Sequence, residues 1–167
     1  MRSLFTAICL AGLSVTPTTA SALSCMPYNA IAAYNDAAKS DDDYVVVHGT
    51  LQFDESKLPK VDWQHQEDVK PDNHLTGRIE GKSLTRNGFT AQFMRGIDIN
   101  VQCYGPWCSG LTSGAKYLAY LKKDGDHYLL ETNPCGGFAF QDPDRATLFK
   151  VTACLNGKRC DPDLPRR

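Results

Sequence analysis

Cysteine is the residue type whose number and spacing in this chain most directly indicate chemistry. The chain has 167 residues and seven cysteines, one of which, Cys9, lies in the apolar N-terminal stretch. The other six are Cys25, Cys103, Cys108, Cys135, Cys154 and Cys160. An even number of cysteines in an exported chain is typical of disulfide bonds, and six cysteines can pair in fifteen ways.

The spacing of the six cysteines favours one of these fifteen sets of pairings. A Gly-Pro pair stands between Cys103 and Cys108, and an Asn-Gly pair stands in the 154–160 segment. Both dipeptides are typical of turns that bring flanking residues together. Two local disulfides then leave Cys25 and Cys135 to form a third bond across most of the chain.

Other kinds of cysteine chemistry fit this spacing less well. Zinc sites and redox dithiols favour Cys-x-x-Cys pairs, and this chain has none. A lipid anchor on Cys25 is a further interpretation, although Leu23 stands two residues before Cys25 rather than the usual three. We expect no metal and no cofactor.

The first 22 residues have the features of a secretory signal peptide. Arg2 supplies a positive charge, residues 4–15 are largely apolar, and the Ala-Ser-Ala of residues 20–22 matches a cleavage site. The apolar stretch is shorter than the roughly 20 residues of a membrane span. We expect residues 1–22 to be removed, and residues 23–167 to form a single domain that is periplasmic or secreted, with no integral membrane association.

Aromatic residues in two loops are the candidates for contact with a partner. Residues 54–74 form a long segment between predicted strands, and it contains Trp63, His65, His74 and several carboxylates. This segment predicts a mobile polar loop, a partner-binding loop anchored by Trp63, or a metal site built on the two histidines. Tyr104 and Trp107 lie in the short 103–108 loop, where they either contact a partner or pack over the end of the domain.

The chain has no signature of a known catalytic site and no basic character. Gly-x-Ser-x-Gly, His-Glu-x-x-His and phosphate-loop motifs are absent. His48 and His127 fall on predicted strands and are interpreted as surface or half-buried residues. The 18 basic and 19 acidic residues give a net charge of −1, which argues against a nucleic-acid partner. We therefore expect a non-enzymatic protein.

The hydrophobic pattern predicts a mainly β domain between two helices. An N-terminal helix is expected over 27–39, and a C-terminal helix is expected to run from the Asp-Pro-Asp at 142–144 to residue 155. Alternating residues predict strands at 44–53, 75–82, 89–93, 97–103, 115–122 and 127–132, with a bend at 94–96. Glycines 49, 77, 81 and 96 fall on the predicted buried faces, as a tightly coiled small barrel requires. We expect a closed or partly closed antiparallel β-barrel of five to six strands.

The order of several short motifs resembles the netrin-like module, the OB-fold of the tissue inhibitors of metalloproteinases. These motifs are the Leu23-Ser24-Cys25 start, the helix containing Ala33 and Tyr34, the strand at 45–51, and the Gly-x-x-Tyr-Leu strand at 114–118 before a hairpin that ends at Cys135. The resemblance covers most of residues 23–154. It implies an OB-like barrel and agrees with a disulfide between Cys25 and Cys135.

The resemblance also implies one specific activity. The inhibitors chelate the protease zinc through the amine and carbonyl of a first-residue cysteine, whereas this chain has Leu23 at that position. Our leading hypothesis is an exported, disulfide-stapled, non-catalytic binding module that recognises a protein or a glycan through Trp63, Tyr104 and Trp107. The alternatives are a metalloprotease inhibitor that acts through a processed N-terminus at Leu23, and a hydrolase with an unrecognised site.

Overall fold

The computed structural model describes residues 23–163, so the predicted signal peptide lies outside the described residues. Within these residues, two α-helices, two short 3-10 helices (Glu55–Lys57 and Gln66–Asp68) and eight strands follow one another, and five of the strands are long. The elements are α1 (Ala30–Lys39), β1 (Asp43–Phe53), β2 (Asp72–Thr85), β3 (Gly88–Tyr104), β4 (Trp107–Cys108), β5 (Lys116–Asp124), β6 (His127–Asn133), β7 (Gly136–Gly137), β8 (Ala139–Gln141) and α2 (Arg145–Leu155).

The strands form one sheet that partly closes on itself. Its order is β4-β3-β2-β1-β5-β6-β7, and β8 pairs with β5. Neighbouring long strands are antiparallel, but β6 also pairs in parallel with β3, from Asp98 opposite Leu129 to Val101 opposite Thr132. This last pairing joins the two sides of the sheet. The prediction of a mainly antiparallel, partly closed β structure between two helices is confirmed.

Two apolar clusters lie on opposite sides of the sheet. The inner cluster includes fully buried Val47, Ile79 and Leu130 from three different strands. The outer cluster packs both helices against β5, and there the Tyr120 hydroxyl donates a hydrogen bond of 2.6 Å to the carbonyl oxygen of Ala30. Alternate residues of β5 therefore serve different cores, which accounts for its almost complete burial.

Two glycines allow β1 and β2 to approach closely where the sheet curls. Gly49 and Gly81 are directly paired, and a Cβ atom on Gly49 would lie 2.6 Å from the carbonyl oxygen of Glu80. A side chain at either position would clash with the backbone of the paired strand. The predicted role of these glycines in coiling agrees with this geometry, whereas Gly96 is exposed rather than buried.

Two local predictions from the sequence were wrong. β3 is one continuous strand without the bend expected at 94–96, and the irregular register lies instead between Ser83 and Leu84 of β2. Helix α1 begins at Ala30, because the Asn29 side chain accepts hydrogen bonds from the first turn. The predicted capping of helix α2 is confirmed: the helix spans Arg145–Leu155, and the side chain of Asp144 accepts a hydrogen bond from the backbone N–H of Thr147.

The three disulfides are those that the cysteine spacing predicted. Cys25 is bonded to Cys135, Cys103 to Cys108, and Cys154 to Cys160. The first bond joins residues 110 positions apart, whereas the other two close loops with separations of five and six. The pairings are confirmed, and the described chain is a small module stapled by disulfides.

These loop lengths predict unequal contributions to stability. In the chain-entropy model, removing the long bond with C25S/C135S should lower the free energy of unfolding by about 4–5 kcal/mol, against about 2 kcal/mol for C103S/C108S. Urea unfolding of the two double variants, followed by circular dichroism, measures both values. Equal losses would contradict the expectation that loop length sets the difference.

Candidate binding groove

Three of the four predicted contact residues line one open groove. Leu23, Trp63 and Trp107 come from distant parts of the chain and meet at a cavity of about 700 Å³. We call it the tryptophan groove. Its lining residues are Leu23, Cys25, Trp63, Pro106, Trp107, Cys108, Ser109, Gly110, Thr132, Asn133, Pro134, Gly136 and Ala139. Tyr104, the fourth predicted residue, is exposed next to this groove but does not line it.

The segment before helix α1 brings Leu23 to the groove. The Cys25–Cys135 disulfide holds this segment against the chain that follows β6, and the Tyr28 ring packs directly on Gly136. A Cβ atom on Gly136 would lie 2.5 Å from Tyr28 Cδ1, and Gly136 has a φ of +137°. Burial, together with a 2.9 Å hydrogen bond to Asp36, raises the pKa of Tyr28. The phenol therefore remains a neutral donor.

A tight disulfide hairpin positions Trp107. Tyr104 pairs with Trp107 across the turn, and Gly105 adopts a φ of +60° that glycine tolerates without steric cost. A Cβ atom on Gly105 would lie 3.7 Å from Trp107 Cζ3, so the indole packs against the turn itself. The Cys103–Cys108 bond then closes the hairpin, in which Trp107 is half-buried.

The connection between β1 and β2 carries Trp63, and local hydrogen bonds shape it. Asp62 Oδ2 lies 2.9 Å from His65 Nδ1, and this hydrogen bond lowers the pKa of the Asp62 carboxyl. The Gln66 side chain donates to the carbonyl oxygen of Trp63 at 3.0 Å. At its start the connection is tied to the rest of the molecule, because Glu55 Oε1 accepts from the backbone N–H of Ser113 at 2.6 Å.

The side chains that line the groove are uncharged, and both polar and apolar atoms contribute to its surface. None of its lining residues is acidic, basic or a histidine, although 22% of all residues in the chain are charged. The Trp63 side chain is also 62% exposed. Aromatic rings beside a few neutral hydrogen-bonding side chains are typical of ligand-binding surfaces.

The structure does not bring together His65 and His74, the two histidines of the possible metal site. His65 contacts Asp62, whereas His74 lies on β2 and lines a separate cavity of about 470 Å³. That cavity also contains the titratable residues Asp98, Lys122, Asp124 and His127. The lining of this cavity contains no serine, threonine or cysteine. Within residues 23–163, no group of three or more His, Cys, Asp or Glu residues could hold a metal ion.

His48 is half-buried, as its strand pattern predicted. Its imidazole makes an edge contact with Phe89, at a centroid separation of 5.9 Å. Burial, and to a lesser extent the nearby Lys116, lowers the pKa of His48. This histidine is therefore held in its neutral form by packing.

Comparison with known proteins identifies no relative: no family model, curated protein or solved structure matches the chain. Among the helices of residues 23–163, none is both long and apolar enough to cross a membrane.

Sequence reasoning missed the side of the groove formed by Asn133 and Pro134. Both precede Cys135, and their place in the groove follows only from the Cys25–Cys135 pairing. The cysteine spacing already predicted the Cys25–Cys135 disulfide, and this bond brings the residues that flank Cys135 close to Leu23.

The contact between Tyr28 and Gly136 predicts a specific sensitivity. Gly136→Ala and Gly114→Ala both place a side chain at positive φ, but only the first meets a neighbour, since no atom lies within 4 Å of a Cβ at Gly114. We expect G136A to be less stable than G114A by about 2 kcal/mol. Urea unfolding of both variants measures this difference. Equal stabilities would contradict the prediction and show that the Tyr28 ring can move aside without lowering the free energy of unfolding.

Proposed function

We propose that the chain is an exported, non-catalytic binding module that holds a segment of a partner protein in the tryptophan groove. The observation that carries the proposal is the meeting of Trp63 and Trp107 in one uncharged groove. These are the two tryptophans of the chain. Tryptophan is among the residue types that contribute most to binding at protein interfaces.

The pattern of disulfides supports export. Three disulfides in a small module are typical of oxidising compartments outside the cytosol. They also support recognition by a rigid surface, because two of the bonds contribute Cys25 and Cys108 to the groove lining. A preformed groove loses less conformational entropy when a ligand binds.

We also propose that the fold is an OB-fold of the netrin-like kind. The proposal is supported by the order of pairings, in which β1, β2 and β3 form a meander, β5 pairs with β1, and β6 pairs in parallel with β3. The disulfide from the N-terminal segment to the end of the β5–β6 hairpin supports it further. The groove then lies at the processed N-terminal end of the module.

The two tryptophans provide a direct test of the binding proposal. Peptides would be selected from a displayed random library on residues 23–167, with depletion against W63A/W107A. We expect the selected peptides to shift the tryptophan emission of the wild-type chain, and to bind W63A or W107A at least tenfold more weakly. The measurements are fluorescence titration and calorimetry.

Phe149→Ala is the matched control for this test. Phe149 is a large side chain that is 72% exposed on α2 and lies outside the groove, so its removal should leave peptide binding unchanged. Peptides that bind the tryptophan variants as well as the wild type would contradict the proposal. Binding of oligosaccharides in place of peptides would assign the groove to glycans.

A second function is favoured by the position of Leu23. If cleavage follows Ala22, a free amine at Leu23 would stand at the edge of the groove beside the Cys25–Cys135 disulfide. This arrangement supports inhibition of a metalloprotease through the amine and carbonyl of Leu23, as the netrin-like resemblance implies.

Adding one residue before Leu23 distinguishes metalloprotease inhibition from peptide binding. An inhibitor of this kind should lose activity against a panel of zinc endopeptidases when one alanine precedes Leu23, because the amine is displaced from the metal. The comparison is the inhibition constant of the chain that begins at Leu23 against that of the extended chain. Equal inhibition, or none from either chain, would reject this function.

A further inference from the structure

A second cavity, of about 210 Å³, lies over β1 and its two neighbours in the sheet and shares no lining residue with the tryptophan groove. We call it the basic cavity. His48 of β1 is paired with Lys82 of β2, and Thr50 of β1 is paired with Lys116 of β5. Three adjacent strands therefore bring two ammonium groups and one imidazole to the same cavity. Its lining side chains are those of His48, Thr50, Glu80, Lys82, Phe89 and Lys116.

The two lysines of the basic cavity have no acidic partner. Within residues 23–163, neither Lys82 nor Lys116 makes a salt bridge. The carboxylate of Glu80, the one acidic group of the cavity, lies 4.0 Å from the guanidinium of Arg78. Like charges that face one cavity without counter-charges repel each other, so a bound anion would stabilise this arrangement.

His48 responds to the positive charge around it. Burial, followed by the nearby Lys116, lowers the pKa of His48. β2 contributes Lys82 and Glu80 to the cavity, and β5 contributes Lys116. β3 adds the Phe89 ring, which makes an edge contact with the imidazole, but no charged group. An anion in the cavity would favour the protonated imidazole and so provide a third cation.

The number of donors around the cavity indicates the shape of its ligand. Two ammonium groups, a protonated imidazole and the Thr50 hydroxyl can all donate hydrogen bonds. A phosphate group offers three terminal acceptor oxygens around one centre, as does a sulfate ester, whereas a carboxylate offers two. The volume of 210 Å³ is below the roughly 300–1,000 Å³ of typical small-molecule pockets, which suits one such group. We propose that the basic cavity binds the phosphate or sulfate ester group of a small ligand.

Inorganic sulfate is the probe for this inference, because it is a tetrahedral dianion that does not titrate near neutral pH. NMR titration of residues 23–167 measures the pKa of each of the four histidines, in sodium sulfate and in sodium chloride of equal ionic strength. We expect saturating sulfate to raise the pKa of His48 by about 0.5 or more. The other three histidines, which lie outside the cavity, should respond alike to both salts. A His48 pKa that is equal in both salts would overturn the proposal.

The same linkage predicts how sulfate affinity depends on pH. Because protonation of His48 adds a positive charge, sulfate should bind about threefold more tightly at about pH 5 than at about pH 8. His48→Gln removes the titrating group and keeps a donor, so H48Q should bind sulfate equally at both pH values. Calorimetry measures these affinities, and a wild-type affinity that rises with pH would contradict the assigned role of His48.

Three lysine variants change the net charge equally but differ in position. Lys82→Gln and Lys116→Gln each remove a cation from the cavity and should weaken sulfate binding about fivefold. Lys122→Gln is the matched control, since Lys122 is on the same strand as Lys116 but bonds to Asp42 at 2.8 Å outside the cavity. K122Q should bind sulfate like the wild type. Glu80→Gln removes the repelling carboxylate and should strengthen binding about twofold.

The remaining comparisons identify the ester and separate this site from the groove. Tighter binding of glucose 6-phosphate than of glucose 6-sulfate would assign the cavity to phosphate esters, and the reverse order would assign it to sulfate esters. Glucose itself should not bind. Equal weakening by K82Q, K116Q and K122Q would show an effect of net charge alone and overturn the site. W63A/W107A should retain sulfate binding, so this inference stands or fails separately from the function proposed for the tryptophan groove.

Discussion

The Cys25–Cys135 disulfide is the constraint on which the candidate groove depends. It fixes the segment before α1 to the chain that follows β6, across 110 residues of sequence. The Tyr28 ring then packs on Gly136, which has no side chain to obstruct it. Leu23 and Pro134 consequently line the same groove. Without this bond only the packing of Tyr28 and the helix that follows would hold the N-terminal segment, and Leu23 would be less firmly placed beside Pro134.

The groove lies where the regular hydrogen bonding of the sheet comes to an end. Strands β4 and β7 occupy the two ends of the sheet order, and each stops after two residues. Glycines and prolines interrupt the pairing there, and the chain turns back through the Cys103–Cys108 hairpin and the Cys135 segment. The long strands therefore form a rigid support, while irregular backbone held by disulfides forms the surface. Binding residues commonly lie on loops that a rigid scaffold positions in this way.

Sequence reasoning was most successful where the signal was local or covalent. The three disulfides, the two helices and the antiparallel, partly closed sheet all followed from cysteine spacing, turn dipeptides and alternation. It failed at Met94-Arg95-Gly96, which predicted a bend, because these three residues stay paired with residues 78–80 of β2 and β3 is therefore continuous. Trp63 and Trp107 were identified as candidates, but their meeting in one groove could not be derived, because no local pattern specifies where a connection of this length lies.

The exposure of Trp63 is the feature that the fold itself does not explain. Both core clusters of residues 23–163 are complete without it, since large side chains such as Tyr117 and Tyr120 already fill them. Local hydrogen bonds at Asp62 and Gln66 shape the loop around Trp63 without using its side chain. An exposed indole beside other apolar residues favours association in water. The Trp63 side chain therefore remains available at the edge of the groove, as the proposed binding function requires.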